Sequence, residues 1–408
     1  MNVLLLTPYL PTPPRFGAHR RIHGLMREIA NRHDVSVLAF VDTHAPPGET
    51  EESQRATGEY CRKVVTVPNG RVGAPNAHKR ALQLRSMAGL HSYEHLVGNL
   101  PAMQTALDSV ISAEKFDVIQ VEFPNVAAYD FSAAKGRPRL CLDEHNIEYD
   151  VLRRTAEADV GIVRRVYNAI DWRKLRLEER REWRRFHGSV LTSKRDQELL
   201  LKDLPGAKTA VVPNGVDVDG FVPTSSAKPV PDTVLFLGAI NYYPNTEGVL
   251  FFLKEAWPAL KALRPSVKLK IVGPKPPPSI SGWPDPSVEV TGYVDDVRPH
   301  IASAAAMIVP LRIGGGTRLK VLEAMSFGKA IVSTALGAEG IDIQHDRDIL
   351  IADDGPALAR QLARVLADEG LATRLGAAAR KLAVDRYSWR SCADRLSNFY
   401  DELVASGA

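Results

Sequence analysis

The residues best placed to do chemistry lie in one segment, Arg312-Ile313-Gly314-Gly315-Gly316-Thr317-Arg318-Leu319-Lys320-Val321-Leu322-Glu323-Ala324-Met325. Three consecutive glycines let a backbone approach a ligand closely, because no Cβ intervenes. The residues after them open a helix, whose N-terminus presents unpaired N–H groups and a positive dipole end. Arg318 and Lys320 add formal charge. Such a site suits a diphosphate, on which negative charge builds as a leaving group departs. Glu323, one turn further in, can accept hydrogen bonds from a ribose diol. By spacing alone, a plain tight turn with Glu323 paired to a neighbour fits equally well. Neither GxxxxGK[ST] nor GxGxxG is present to decide.

A buried strand must precede this loop, and residues 306–309 read as one; residues 319–327 read as the helix. The same alternation runs through the chain. Residues 2–7 form a buried-type strand, followed by a loop stiffened by Pro8, Pro11, Pro13 and Pro14. An amphipathic helix starts near His19, with Ile22, Leu25, Met26 and Ile29 on one face. Residues 34–41, 116–121, 139–143, 190–192 and 209–212 read as further strands, with a helix over 101–113. The sequence turns polar and Pro/Gly-bearing over 214–230. Beyond it, strands over 234–237, 268–272, 288–291, 330–333 and 349–351 alternate with helices over 246–262, 297–304, 356–367 and 369–384. This order predicts α/β architecture: two Rossmann-like, doubly wound domains facing a central cleft, with ligands at the strand carboxyl ends. The expected domains are 1–212 and 213–388, with a last helix over 389–408 packing back on the first.

At roughly 100–200 residues per domain, 408 residues suit two or three domains. Charged residues are 25% and hydrophobic ones 45%, as in a globular protein. The 52 basic and 48 acidic residues leave +4, too little for a dedicated nucleic-acid binder. Cys61, Cys141 and Cys392 are odd in number and widely spaced, and no CxxC is present, so a reducing cytoplasm is expected. The apolar run at residues 3–6 is too short for a signal-peptide core, and no stretch reaches the ~20 apolar residues of a membrane span. The charge is uneven. Residues 1–212 carry 31 basic and 26 acidic residues; the remainder carries 21 and 22. Residues 153–186 hold 11 basic and 6 acidic residues, with Trp172, Leu175, Trp183 and Phe186 near one helical face. That stripe packs on its own sheet in one reading. In the other, the basic face rests on an anionic membrane.

The glycine-rich segment resembles the donor-site motif of glycosyltransferase family 4, within the GT-B class, in the GGGTRLKxLEA form of bacterial exopolysaccharide and lipopolysaccharide transferases. Other segments match in order. Val212-Pro213-Asn214-Gly215-Val216-Asp217 resembles the interdomain signature. Phe236-Leu237-Gly238 with Pro244-Asn245 resembles the start of the donor domain. Ile271-Val272-Gly273-Pro274 and Thr291-Gly292-Tyr293-Val294 resemble the segments that hold the nucleobase. Ser333-Thr334 through Gly340 resembles the closing donor-side loop, and Tyr387-Ser388-Trp389 precedes the last helix. The resemblance implies donor-binding roles for Gly17, Gly273, Tyr293, Val294, Gly314, Gly315, Gly316, Thr317, Leu322 and Glu323. It implies catalytic roles for His145, Arg318 and Lys320. Glu122 ends the strand before His145; a loop-capping carboxylate explains it as well.

Two features depart from the family pattern. The first glutamate of its EX7E motif is replaced by Gly315, so only Glu323 remains. The stretch after Gly238 lacks the usual Arg and Lys, which leaves the phosphate role to Arg318 and Lys320. Asp217-Val218-Asp219 is formally a metal-binding DxD but falls in the linker signature, and Asp295-Asp296 reads as a helix cap. No metal and no cofactor are expected.

The reading is a retaining transferase moving a sugar from a nucleotide diphosphate-sugar to a saccharide or lipid-linked acceptor, in cell-surface polysaccharide biosynthesis. The expected location is cytoplasmic, at the inner face of the membrane if the basic helix touches it; no nucleic-acid partner is expected. Two competing readings stand beside it. A nucleotide-sugar epimerase on the same architecture would convert donor without acceptor. A non-catalytic nucleotide-sugar-binding subunit would neither transfer nor hydrolyse.

Overall fold

A computed structural model of the chain describes residues 1–71, 76–157, 161–223, 229–314 and 316–407. It divides into two compact units, Met1–Pro213 with Cys392–Ala408, and Asn214–Ser391.

The first unit holds a seven-stranded parallel sheet. Its strands are β1 (Asn2–Thr7), β2 (Asp34–Asp42), β3 (Lys63–Asn69), β4 (Val118–Glu122), β5 (Arg139–Glu144), β6 (Gly188–Leu191) and β7 (Thr209–Val211). Their order across the sheet is β3-β2-β1-β4-β5-β6-β7. Val3 to Leu6 are fully buried, as a central strand covered by helices on both faces requires. β3 has no counterpart in the sequence reading. It is the edge strand, only partly buried, and Pro68 sits in it, where an edge tolerates a missing N–H. The 24-residue helix Ile162–Arg185 shows why the aromatic stripe is there: Leu175, Trp183 and Phe186 are buried in the core and Trp172 packs against it.

The second unit holds β8 (Thr233–Leu237), β9 (Lys268–Val272), β10 (Val288–Gly292), β11 (Ala306–Val309), β12 (Ile331–Ser333) and β13 (Leu350–Ile351). All are parallel, in the order β10-β9-β8-β11-β12-β13. The helix expected over 246–262 runs as Tyr243–Phe251 and Trp257–Leu263 around a π turn, Phe252–Ala256. Pro258 lacks an N–H and crowds the preceding turn, which widens the helix there. Asp217 accepts the N–H groups of Asp219 and Gly220, so the DxD spacing is a turn. Asp296 accepts the Arg298 N–H at the start of helix Arg298–Ser303.

Candidate functional sites at the two switch points

In the second sheet the chain leaves β8 toward β9 on one side, while β11 lies on the other. The crevice outside the carboxyl ends of β8 and β11 is therefore the switch point, where open α/β sheets bind ligands. The loop after β11 carries the glycine segment, and helix Leu319–Ser326 follows it. Gly314 has φ +114° and Gly316 φ +74°, backbone conformations that favour glycine. The Arg318 guanidinium lies over Gly314, where an added Cβ would sit 2.9 Å from Nη2. Gly315 falls outside the described residues.

Lys320 leaves the helix's first turn toward the end of β8. Its ammonium donates to Asn245 Oδ1 at 2.8 Å and lies 4.4 Å from the centroid of the Phe236 ring. Asn245 is held in turn by donating to the Ala239 carbonyl. Gly238 makes room: a Cβ there would meet Lys320 Nζ at 2.6 Å. Burial pushes the Lys320 pKa down to about 7; the nearby Arg318 charge adds to this and Glu323 opposes it. Arg318 and Glu323 are themselves only 9% and 7% exposed. A buried guanidinium, a half-buried amine and a buried carboxylate thus converge at one switch point. Thr317 Oγ1 is buried there without a hydrogen-bond partner among the described residues.

The other residues of the expected donor set divide. Gly273 is where the loops after β8 and β9 touch, and a Cβ there would sit 1.7 Å from the Gly238 carbonyl oxygen. That glycine is required by packing. Tyr293 is 72% exposed, and Val294 packs against the core. Leu322 differs from the others. Its side chain is fully buried among the core residues and packs there. Asn245 and Gly238 carry no individual role in the sequence reading. They lie some 75 residues upstream of Lys320, and only the sheet order makes them neighbours.

In the first sheet the switch point lies between β1 and β4. Gly17 is exposed at the start of helix Gly17–Ile29, which follows the proline loop. His145 stands just past the end of β5, buried, with Nε2 2.6 Å from Glu122 Oε2. Burial pushes the His145 pKa down to about 3 and the Glu122 pKa up to about 7, so the imidazole is neutral at physiological pH. The Phe123 ring lies 3.8 Å from that of His145, on a backbone held at φ +73°. A non-glycine residue there is strained by about 1–3 kcal/mol, a cost concentrated at functional sites. Tyr9, His19 and Phe16 complete the rim. Phe16, half-exposed, stacks on His19 at 3.8 Å, and Tyr9 meets His19 edge-on at 4.5 Å. The Tyr9 hydroxyl and His19 Nδ1 are buried without a hydrogen-bond partner among the described residues. Two buried polar atoms without partners among the described residues, beside a strained residue, make this rim a candidate site for a polar ligand. Tyr9 and Phe123 went unread because a tyrosine and a phenylalanine in loops carry no spacing signal.

Beneath this rim Arg21 holds Asp143 through two nitrogens and donates to the Val212 carbonyl, all of it buried. Among the described residues, two groups of three bring metal-ligand atoms within 4.8 Å: Glu122, Asp143 and His145; and His91, His95 and Glu178. In the first, the Arg21 guanidinium already occupies Asp143 as its cation. In the second, the two imidazoles stack 4.1 Å apart at 8°, so their in-plane lone pairs do not converge on one ion.

Comparison with known proteins supplies the family and the fold. The Glycosyltransferase Family 4 model matches residues 17–219, and the model described as Glycosyl transferases group 1 matches residues 231–368. Among solved structures, sucrose-phosphate synthase from Thermosynechococcus elongatus superposes with a TM-score of 0.72 at 17% identity, covering 100% of both chains. Anabaena HepE in complex with UDP superposes with a TM-score of 0.68 at 14% identity, covering 98% of this chain and 100% of that one. The fold is that of the GT-B glycosyltransferases. Phosphatidyl-myo-inositol mannosyltransferase of Mycobacterium tuberculosis is 32% identical over 218 residues, which is 50% of this chain and 56% of that protein's length. The chain belongs to the family 4 glycosyltransferases.

Proposed function

We propose that the chain is a retaining glycosyltransferase using a nucleotide diphosphate-sugar. The observation that carries this is the pairing of the buried Arg318 guanidinium with the half-buried Lys320 amine at the second unit's switch point. They and the Gly314–Thr317 amides would stabilise the leaving diphosphate, with its departing oxygen taking the acceptor proton. Glu323 would take the ribose. The UDP bound in the HepE structure supports a nucleotide donor of this class. The first unit would hold the acceptor, with His145 accepting or donating to a sugar hydroxyl and Phe16 offering a flat apolar face.

A lipid-linked acceptor, as in polysaccharide assembly, is favoured by the outer face of helix Ile162–Arg185. Arg164, Arg165, Arg173, Arg181, Arg184 and Arg185 are exposed on it, whereas Asp171, Glu179 and Glu182 are buried and Glu178 half-buried. Val166, Ile170 and Leu177 are exposed between the arginines, at 51%, 36% and 68%. An exposed surface that joins arginines to apolar tips, with the acids of the same helix buried or half-buried, suits an anionic bilayer. The name of the mannosyltransferase relative likewise pairs sugar transfer with a phosphatidyl lipid. No described helix is long and apolar enough to cross a membrane.

A thermal-shift screen of UDP-, GDP-, ADP- and TDP-sugars tests the donor. At a hundredfold excess over Kd the bound state gains about 2.7 kcal/mol, a Tm rise of several degrees. Release of nucleoside diphosphate on adding a lipid-linked saccharide then tests transfer. No shift with any donor rejects the reading. Sedimentation with phosphatidylglycerol vesicles, but not phosphatidylcholine ones, tests the membrane face. Equal pelleting with both, or with neither, rejects it.

A further inference from the structure

β4 runs Val118-Ile119-Gln120-Val121-Glu122, so Gln120 and Glu122 point to one face of a fully buried strand. Two polar side chains in that setting cost stability unless each is hydrogen-bonded. Both are. Tyr400, fully buried on the C-terminal helix Trp389–Ala405, donates its hydroxyl to Gln120 Oε1. Gln120 Nε2 donates to Glu122 Oε1 at 2.5 Å. Glu122 Oε2 meets His145 Nε2 at 2.6 Å. The chain has a direction. A tyrosine hydroxyl that donates to the amide oxygen leaves only the NH2 to face Glu122, so Glu122 Oε1 must accept.

We propose that Gln120 and Tyr400 are positioning residues, which hold Glu122 as an acceptor toward His145 and so fix the imidazole as its Nε2–H tautomer. Nδ1 is then the nitrogen that accepts from a ligand hydroxyl. The inference rests on the reading that His145 belongs to the sugar-binding site. The titratable groups facing Glu122 and His145 are Arg21 and Asp143 beneath, Tyr9 at the rim, Tyr400 on the C-terminal helix and Cys141 on the neighbouring strand. Arg21 and the Gln120 N–H favour the carboxylate form of Glu122 and burial opposes it. The tautomer is therefore read at pH 8, above the Glu122 transition near 7.

Protein labelled with 15N-histidine is examined by long-range 1H–15N correlation, with His145 assigned from the signal lost in His145→Gln. The wild type should show the Nε2–H pattern. Glu122→Gln is isosteric. Gln120 keeps its amide oxygen side, so the new NH2 faces Nε2 and forces Nδ1–H. Adding Gln120→Leu removes that orientation, and the Nε2–H form should return. The same tautomer in the wild type and Glu122→Gln overturns the proposal, as does an Nδ1–H wild type. Donor turnover reads the other half. A tautomer switch with a tenfold or greater fall in kcat and little change in KM supports positioning. A switch with unchanged kcat leaves the hydrogen-bond chain standing but rejects His145 as part of the sugar site, and with it the positioning role.

Discussion

Donor binding should draw a proton onto Lys320. Its half-buried side chain lies beside Arg318 and Phe236, with Asn245 Oδ1 as its hydrogen-bond acceptor, and desolvation pushes its pKa down to about 7. The two phosphates of a nucleotide-sugar stay fully ionised between pH 6 and 9, so the lysine is the group that changes. Without ligand about half the lysines are charged at pH 7, about a tenth at pH 8 and about a hundredth at pH 9. If the diphosphate binds only the charged form, Kd rises about tenfold per pH unit above 7. From pH 6 to 9 the loss approaches about 2.7 kcal/mol, two pKa units' worth. Isothermal titration in two buffers of different ionisation enthalpy should find close to one proton taken up at pH 8 to 9 and almost none at pH 6. Lys320→Arg, which stays charged, should flatten the profile. The ligand-free protein moves the opposite way. Between pH about 7 and 10.5 the folded lysine holds fewer protons than the unfolded one, so this residue's contribution to stability rises with pH. A Kd that is constant from pH 6 to 9, with no proton uptake, refutes the placement of Lys320 at the phosphates.

Three further outcomes follow from the same geometry. Arg318→Ala should lower kcat by about 10²–10³, the usual effect of removing one preorganised donor from a developing anion, while circular dichroism stays unchanged; full turnover would dismiss its role. Gly273→Ala places a Cβ 1.7 Å from the Gly238 carbonyl oxygen, so urea unfolding should show about 1–3 kcal/mol lost and the donor site displaced with it. Arg21→Met strands the buried Asp143 carboxylate and should cost about 3–5 kcal/mol, much of it restored by Arg21→Met with Asp143→Leu. A cost below 1 kcal/mol for the single change would mean that Asp143 finds another partner.

Most of the strands and helices were legible because local pattern decides them. The apolar runs of β1, β8 and β11 are buried on both faces and look so in one dimension. β3 was not legible, since an edge strand with a proline lacks that run. The π turn before Pro258 was hidden inside a continuous helical pattern. The basic stretch at 153–186 was visible as composition alone. That three of its described acids, Asp171, Glu179 and Glu182, are buried while six of its arginines are exposed is a property of one packed helix, Ile162–Arg185, and no count reveals it.

By itself the sequence determined a parallel α/β chain, a glycine loop opening a helix, and two cations and a carboxylate within six residues of one another. These are local matters of backbone freedom, periodicity and spacing. The tertiary structure decided what those groups meet. Strand order brings Asn245 and Gly238 against Lys320, burial makes that lysine titrate near neutrality, and packing withdraws Leu322 into the core. In the first unit, strand order and the returning C-terminal helix bring Glu122, Gln120 and Tyr400 into line behind His145. Long-range pairing and desolvation set each of these, and neither is a property of residues adjacent in the chain.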